Sequence, residues 1–269
     1  MADQHLPRQL RTLFLSDFHL GTKTCQAERL LDFLRNHEAE TIYLVGDIVD
    51  GWQLRKSWFW PQSHNDVIQK LLRQARKGSR IVVVPGNHDE FLHDYPGRHF
   101  GGIEVVARIV HRTADGSRLL VMHGDEFDTI IRHAPWMARL GDTAYRLALG
   151  LNSALNALRR RFGLPYWSLS AWAKHRVKNY VSLISSFEAS LVAEARRADA
   201  DGVVCGHIHH ADIHDRFGIR YVNTGDWVES CTAVAEDFEG RLEIIRWVGK
   251  GAETARDSDE PDVALAPAA

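Results

Sequence analysis

A chain of 269 residues, 45% hydrophobic and 25% charged, holds enough apolar side chain for one substantial core, and its length allows one domain or two. A formal charge of -2 and a pI near 6.7 exclude a globally basic nucleic-acid binder, while leaving room for local patches. Three scattered cysteines, Cys25, Cys205 and Cys231, form neither a disulfide framework nor a paired metal motif, which fits a reducing compartment. Residues 1 to 9 are polar, and no stretch approaches the ~18 uninterrupted apolar residues of a membrane span, so the expectation is a cytoplasmic protein.

The first apolar run, residues 12 to 15, reads as a strand and is followed by Asp17-Phe18-His19. Leu30, Leu31 and Leu34 have helical spacing within residues 25 to 38, and a second strand over 41 to 45 ends in Gly46-Asp47. Val67, Ile68, Leu71 and Leu72 predict a helix near 64 to 77, then residues 81 to 84 a strand running into Gly86-Asn87-His88-Asp89. These runs are rich in β-branched residues with no polar alternation, as in strands covered on both faces. Strand-helix-strand units with right-handed crossovers assemble them into a parallel sheet. Residues 119 to 122 form another strand, ending in His123-Gly124-Asp125. Later runs, at 202 to 205, 221 to 223, 232 to 235 and 242 to 245, follow one another without long helices, and predict a second, largely antiparallel sheet. The first of them leads into Gly206-His207-Ile208-His209.

Successive donors are separated by 30, 40 and 36 residues from Asp17 to Asp47, Asn87 and His123, and then by 84 residues to His207. The first three gaps suit one crossover unit of ~30 residues or more. The last contains extra chain, so one domain over 1 to 248 is expected to carry a helical insertion at 128 to 200. Leu147, Leu151, Leu155 and Leu158 share a helical face there. Between Thr129 and Tyr180 nine basic residues meet one acid, a net of +8 that leaves -10 for the rest of the chain. Trp136, Tyr145, Tyr166, Trp167 and Trp172 lie among these cations, as in segments that meet anionic head groups. Arg132, Trp136, Arg159, Trp167, Lys174 and Lys178 are the candidate substrate-binding residues. The segment 249 to 269 lacks periodicity and reads as a disordered tail.

The five fragments offer carboxylates, imidazoles and one amide oxygen, a mixed oxygen and nitrogen set suited to Mn²⁺, Fe²⁺ or Zn²⁺. No cysteine lies among them, which argues against a structural zinc site. Strand alternation would put Asp17 and His19 on one side, and likewise His207 and His209. Asp47, alone after its strand, is the natural bridging carboxylate. Two ions ~3.5 to 4 Å apart hold a hydroxide and clamp the attacking and leaving oxygens of a displacement at phosphorus.

In their order, Asp17-x-His19, Gly46-Asp47, Gly86-Asn87-His88-Asp89, His123-Gly124-Asp125 and Gly206-His207-x-His209 resemble the calcineurin-like metallophosphoesterase family over residues 12 to about 248. The resemblance implies an α/β fold, a four-layer αββα sandwich. It also implies one ion on Asp17, His19, Asp47 and His209 and a second on Asp47, Asn87, His123 and His207. His88 would protonate the leaving oxygen or stabilise charge on phosphorus, with Asn87 beside it and Asp89 orienting it, roles that suit general acid catalysis. Within the family, Ser16-Asp17-Phe18-His19-Leu20, the insertion after His123-Gly124-Asp125, and Gly225-Asp226-Trp227 are similar to the UDP-2,3-diacylglucosamine diphosphatases of lipid A synthesis. That group implies cleavage to UMP and 2,3-diacylglucosamine 1-phosphate, with the insertion as an acyl-holding lid and contact at the inner face of the inner membrane. His88 stands where that group leads one to expect Arg. The alternatives are a phosphodiesterase or phosphatase for another lipid or small nucleotide, and a non-catalytic scaffold. No nucleic-acid-reading module is present, so nucleic acid is not an expected partner. Asp50, Asp125 and Asp226 read as groups that orient ligands or cap turns, and Asn223 and Thr224 as positioners of a ligand histidine. His210 and His214 read as surface or supporting groups.

Overall fold

The computed structural model describes residues 6–130 and 184–247. The chain opens with β1 (Arg8–Leu15), α1 (Ala27–Asn36), β2 (His37–Val45), α2 (Gly51–Lys56), α3 (Gln62–Arg76) and β3 (Arg80–Val84). Next come β4 (His99–Phe100), β5 (Ile103–Val105), β6 (Ile109–Arg112) and β7 (Arg118–Val121). A helix over 184–197, here α4, leads into β8 (Gly202–Cys205), β9 (Asp212–His214), β10 (Arg220–Asn223), β11 (Thr232–Glu236) and β12 (Leu242–Arg246).

Two sheets stack face to face, and the alternation of each strand sorts its side chains between layers. Phe14, Tyr43, Val45, Val82 and Val84 of one sheet meet Leu119, Val121, Val204 and Val222 of the other in the central core. The intervening residues Leu13, Leu15, Ile42, Leu44, Ile81 and Val83 face outward onto Leu30, Phe33 and Leu34 of α1 and Val67 and Leu71 of α3. On the opposite side Leu120, Met122, Val203 and Cys205 face Phe187, Leu191 and Ala195 of α4. The result is the expected α/β arrangement of four layers. Each fully buried Leu or Phe contributes roughly 1.5–3 kcal/mol, and α1 alone supplies Leu30, Phe33 and Leu34 at 0% exposure.

The first sheet has the order β12-β11-β1-β2-β3-β5-β4 and the second β6-β7-β8-β10-β9. β1, β2, β3 and β5 run parallel, as expected from the crossovers. The largely antiparallel second sheet is corrected. β7, β8 and β10 are parallel at its centre, and only the flanking pairs β6-β7 and β9-β10 are antiparallel. The short link from β8 to β10 misleads because β9 takes the outer edge and β10 folds back between it and β8. β11 and β12 leave this sheet altogether and complete the first, where β11 covers the free edge of β1.

The parallel register places the functional fragments together. Leu15 lies beside Leu44 and Val45 beside Val84, so β1, β2 and β3 end side by side. Val121 lies beside Val204, so β7 and β8 do the same in the other sheet. Crevices at the carboxyl ends of parallel strands are where open α/β sheets bind ligands. Of the expected insertion at 128–200 only 128–130 and 184–200 are described, and 184–197 are α4, a layer of the sandwich; the expected tail lies outside the described residues.

Candidate metal centre

Each fragment begins within three residues of a strand end, but strand alternation is not what aims its side chains. Asp17 (φ 53), His19 (φ 51), Asp47 (φ 56), His207 (φ 71) and His209 (φ 55) all occupy the left-handed region. Such residues cost of order 1–3 kcal/mol each unless the surroundings hold them. They are held by a continued ladder: Asp17 N donates to Gly46 O at 3.0 Å, His19 N to Asp47 O at 2.9 Å and Leu20 N to Ile48 O at 2.9 Å. Left-handed turns beyond the strands thus replace the pleat expected to pair Asp17 with His19 and His207 with His209.

Glycine precedes the donors because there is no room for anything else. A Cβ on Gly46, itself at φ 78, would stand 2.2 Å from His123 Nδ1, and one on Gly86 2.4 Å from Asp47 Oδ1.

Six donors converge in two groups. Asp17, His19 and His209 offer ligand atoms within 4.8 Å of one another, and so do Asp47, His123 and His207. Asp47 Oδ2 lies 3.8 Å from His19 Nε2 and 3.4 Å from His123 Nε2, facing both groups as a bridging carboxylate must. Its other oxygen accepts the His88 backbone N–H at 2.9 Å. Asp17 Oδ1 lies 3.1 Å from His209 Nε2, and Asp17 Oδ2 accepts from His207 N at 3.1 Å. His123 Nδ1 sits 2.8 Å from the Val45 carbonyl oxygen, which can only accept. A ring proton is thereby placed on Nδ1, which leaves Nε2 to face the centre. Buried His123 Nε2 and Asn87 Oδ1 have no hydrogen-bond partner. Orphaned buried polar atoms are rare and need an explanation, and divalent cations supply one.

The electrostatics agree. Burial raises the carboxyl of Asp47, but His123, His19 and His88 around it reverse that effect and hold it below its ordinary value. Burial likewise raises Asp17, which His209 brings back below the ordinary range.

His88 lies at the rim with its side chain 26% exposed, Nε2 4.0 Å from Asp47 Oδ2 and Nδ1 3.0 Å from Asp50 Oδ2. Burial lowers its pKa, and Asp50 and Asp47 together raise it past its ordinary value, favouring the imidazolium that an acid needs. The expectation that Asp89 orients His88 is corrected. Asp89 is turned into the backbone, where Oδ2 accepts from Ile48 N at 2.8 Å and Oδ1 from Gly86 N at 2.5 Å. It joins the second and third fragments, and burial followed by repulsion from Asp47 lifts its pKa to about 6. Asp50 does the orienting. Its Oδ2 also faces His19 Nδ1 at 3.4 Å, while Oδ1 caps α2 by accepting from Gln53 N at 2.7 Å.

The last fragment is held from behind. Asn223 Nδ2 donates to Gly206 O at 2.8 Å and Thr224 Oγ1 to Cys205 O at 3.1 Å, so both support the loop carrying His207 and His209. Asp226 caps a turn through Val228 N at 2.7 Å, and Trp227 N donates to Asp17 O at 3.0 Å. His214 sits on β9 with Nε2 3.4 Å from Glu188 Oε1 of α4 and Nδ1 accepting from Arg216 N at 3.3 Å. The two side chains stand side by side between β9 and α4 without a hydrogen bond at Nε2. His210 is exposed and Asp125 half-buried, and neither joins the converging donors. Arg132, Trp136, Arg159, Trp167, Lys174 and Lys178 lie outside the described residues. Sequence reasoning did not single out Trp52, whose ring lies 4.5 Å from that of His88. Nor did it notice Phe187 of α4, 6.1 Å from the His207 ring.

Curated relatives are similar over most of the chain. A UDP-2,3-diacylglucosamine hydrolase of Porphyromonas gingivalis is 26% identical over 236 residues, 80% of this chain and 89% of that protein. Proteins of the same description from Neisseria gonorrhoeae, 27% identical over 80% of this chain and 88% of the relative, and Shewanella halifaxensis, 24% identical over 88% and 98%, extend the likeness. The family model described as calcineurin-like phosphoesterase matches residues 10–211, from β1 through all five fragments. A match of that extent, over a site of donors suited to divalent metal ions, makes the chain a member of the calcineurin-like phosphoesterase family and a metal-dependent hydrolase.

Proposed function

We propose that the protein hydrolyses the pyrophosphate of a nucleotide-linked lipid, UDP-2,3-diacylglucosamine, to UMP and 2,3-diacylglucosamine 1-phosphate. The observation that carries this reading is the likeness, over 80–88% of the chain, to relatives described as UDP-2,3-diacylglucosamine hydrolases. In this reading Asp17, His19, Asp47 and His209 hold one divalent ion and Asp47, Asn87, His123 and His207 a second. The oxygen and nitrogen donor set favours Mn²⁺. Bound there, two such ions supply an activated water and neutralise charge at phosphorus.

The chain's own residues do the rest. His88, with Nδ1 held by Asp50, turns Nε2 toward Asp47 and would give its proton to the oxygen leaving phosphorus. One P–O bond of the anhydride breaks, water supplies the new oxygen, and the two monophosphates separate. Asp47 Oδ2, facing both donor groups, fixes their separation. No helix among the described residues is long and apolar enough to cross a membrane, and access to a lipid is proposed as peripheral, through the part of residues 128–200 that precedes α4.

The test is UMP release from UDP-2,3-diacylglucosamine by Mn²⁺-loaded protein. Release that disappears in Asp47→Asn supports the reading. Hydrolysis of a simple phosphodiester without any UMP release would remove the lipid assignment. One residue favours a second reading, a phosphodiesterase for another lipid or small nucleotide: His88 occupies the position where the lipid-cleaving group leads one to expect Arg.

A further inference from the structure

His88 is enclosed on more sides than its rim position demands. The ring of His19 stands perpendicular to it, at 4.6 Å and 89°, Asp50 Oδ2 lies 3.0 Å from Nδ1, and the indole of Trp52 lies against it at 4.5 Å and 39°. Trp52 nevertheless remains 40% exposed. A tryptophan placed only to fill a core would be covered, since covering it gains ~25 cal/mol per Å².

Its helix is unusual as well. α2 has six residues, none of them buried, and helices that short are marginal on their own. What fixes it is the neighbourhood of His88. Asp50 caps its first turn through Gln53 N, and Gly51 N donates to the His88 carbonyl at 2.9 Å. A Cβ on Gly51 would come within 3.0 Å of that carbonyl and 3.4 Å of Phe91, so glycine lets α2 close onto the residue it flanks. The carboxylate that orients His88 and the indole that covers it are therefore two residues apart on one short, tightly tethered turn.

We propose that Trp52 is a positioning residue for His88: its indole confines the imidazole to the rotamer that keeps Nδ1 on Asp50 and Nε2 turned toward Asp47. It also shields the Asp50–His88 contact from water, which strengthens that contact by lowering the effective dielectric around it. The inference rests on His88 acting as the acid.

The experiment is a double-mutant cycle on the metal-loaded full chain, using phosphodiesters whose leaving phenols span a range of acidity. Trp52→Ala lowers kcat by roughly 10–100-fold, the range seen when an orienting partner is lost. The loss is greatest for the least acidic leaving group, because proton donation matters most there. KM changes little, Trp52→Phe restores most of kcat, and metal content is unchanged. In a His88→Ala background, Trp52→Ala adds nothing further. Three results overturn the proposal: an unchanged kcat in Trp52→Ala, a rise in KM alone, or the same loss of kcat in the His88→Ala background. If His88→Ala itself keeps full kcat with poor leaving groups, the acid assignment fails and this inference with it. Should Trp52→Ala fail to fold, Trp52→Leu carries the cycle, since it keeps apolar volume without a flat face.

Discussion

Asp50 and His88 are joined at 3.0 Å between Oδ2 and Nδ1, while Asp89, adjacent to His88 in sequence, points away into the amides of Ile48 and Gly86. The same Asp50 caps α2 and faces His19, so one carboxylate meets two imidazoles and the start of a helix. Burial raises its pKa, but contacts with His19 and His88 hold it well below the ordinary carboxylate range, so it stays charged.

The two aspartates should therefore separate when substituted. Asp50→Asn leaves His88 without its charged partner and lowers kcat by roughly 10–100-fold at unchanged metal content. Asp89→Asn replaces an acceptor of two backbone N–H groups with one that keeps only one acceptor oxygen. It costs about 1–3 kcal/mol of stability, seen as a lower unfolding midpoint. Steady-state kinetics and denaturation of both variants check this.

Gly86→Ala would set a methyl 2.4 Å from Asp47 Oδ1 and 2.6 Å from His123 Cδ2. Both side chains are buried donors that cannot yield without leaving the centre. The expected result is loss of at least one bound ion per chain by elemental analysis, with kcat falling in proportion to the ions lost.

Chelation should act on stability as well as activity. With metals removed, Asn87 Oδ1 stays buried without a partner. A ligand at 100 times its Kd stabilises a fold by about 2.7 kcal/mol, so EDTA should lower the unfolding midpoint by several degrees. Added Mn²⁺ should restore both the midpoint and hydrolysis.

Away from the centre, Glu236 ties the two sheets together. Fully buried, it accepts from His111 Nε2 at 2.7 Å and Ala114 N at 2.7 Å and pairs with Arg11. Burial raises its pKa, and the bonds from His111 and Ala114 N bring it below the ordinary 4.5. A folded value below the unfolded one means stability that is present above pH 4.5 and lost as pH falls through the folded value. Glu236→Gln should cost about 3 kcal/mol near neutral pH, as breaking a buried pair does. It should also flatten the acid limb of a stability profile measured on metal-free protein.

What the sequence by itself determined was the set of strands that carry donors and the donors themselves. Apolar β-branched runs ending in Asp17, Asp47, Asn87, His123 and His207 are local signals, because a strand covered on both faces must be apolar throughout. The order of those fragments also carried the family and with it the α/β sandwich. Tertiary structure alone decided the rest. β11 joins β1 rather than β10, a choice made by which strand edge is free and not by β11's own residues. The left-handed turns at Asp17, His19, Asp47, His207 and His209 are imposed by long-range hydrogen bonds such as Asp17 N to Gly46 O, against the local preference of those residues. Asp50 rather than Asp89 meets His88 because α2 folds back through Gly51 onto the third fragment, a contact between segments 37 residues apart that no local spacing encodes.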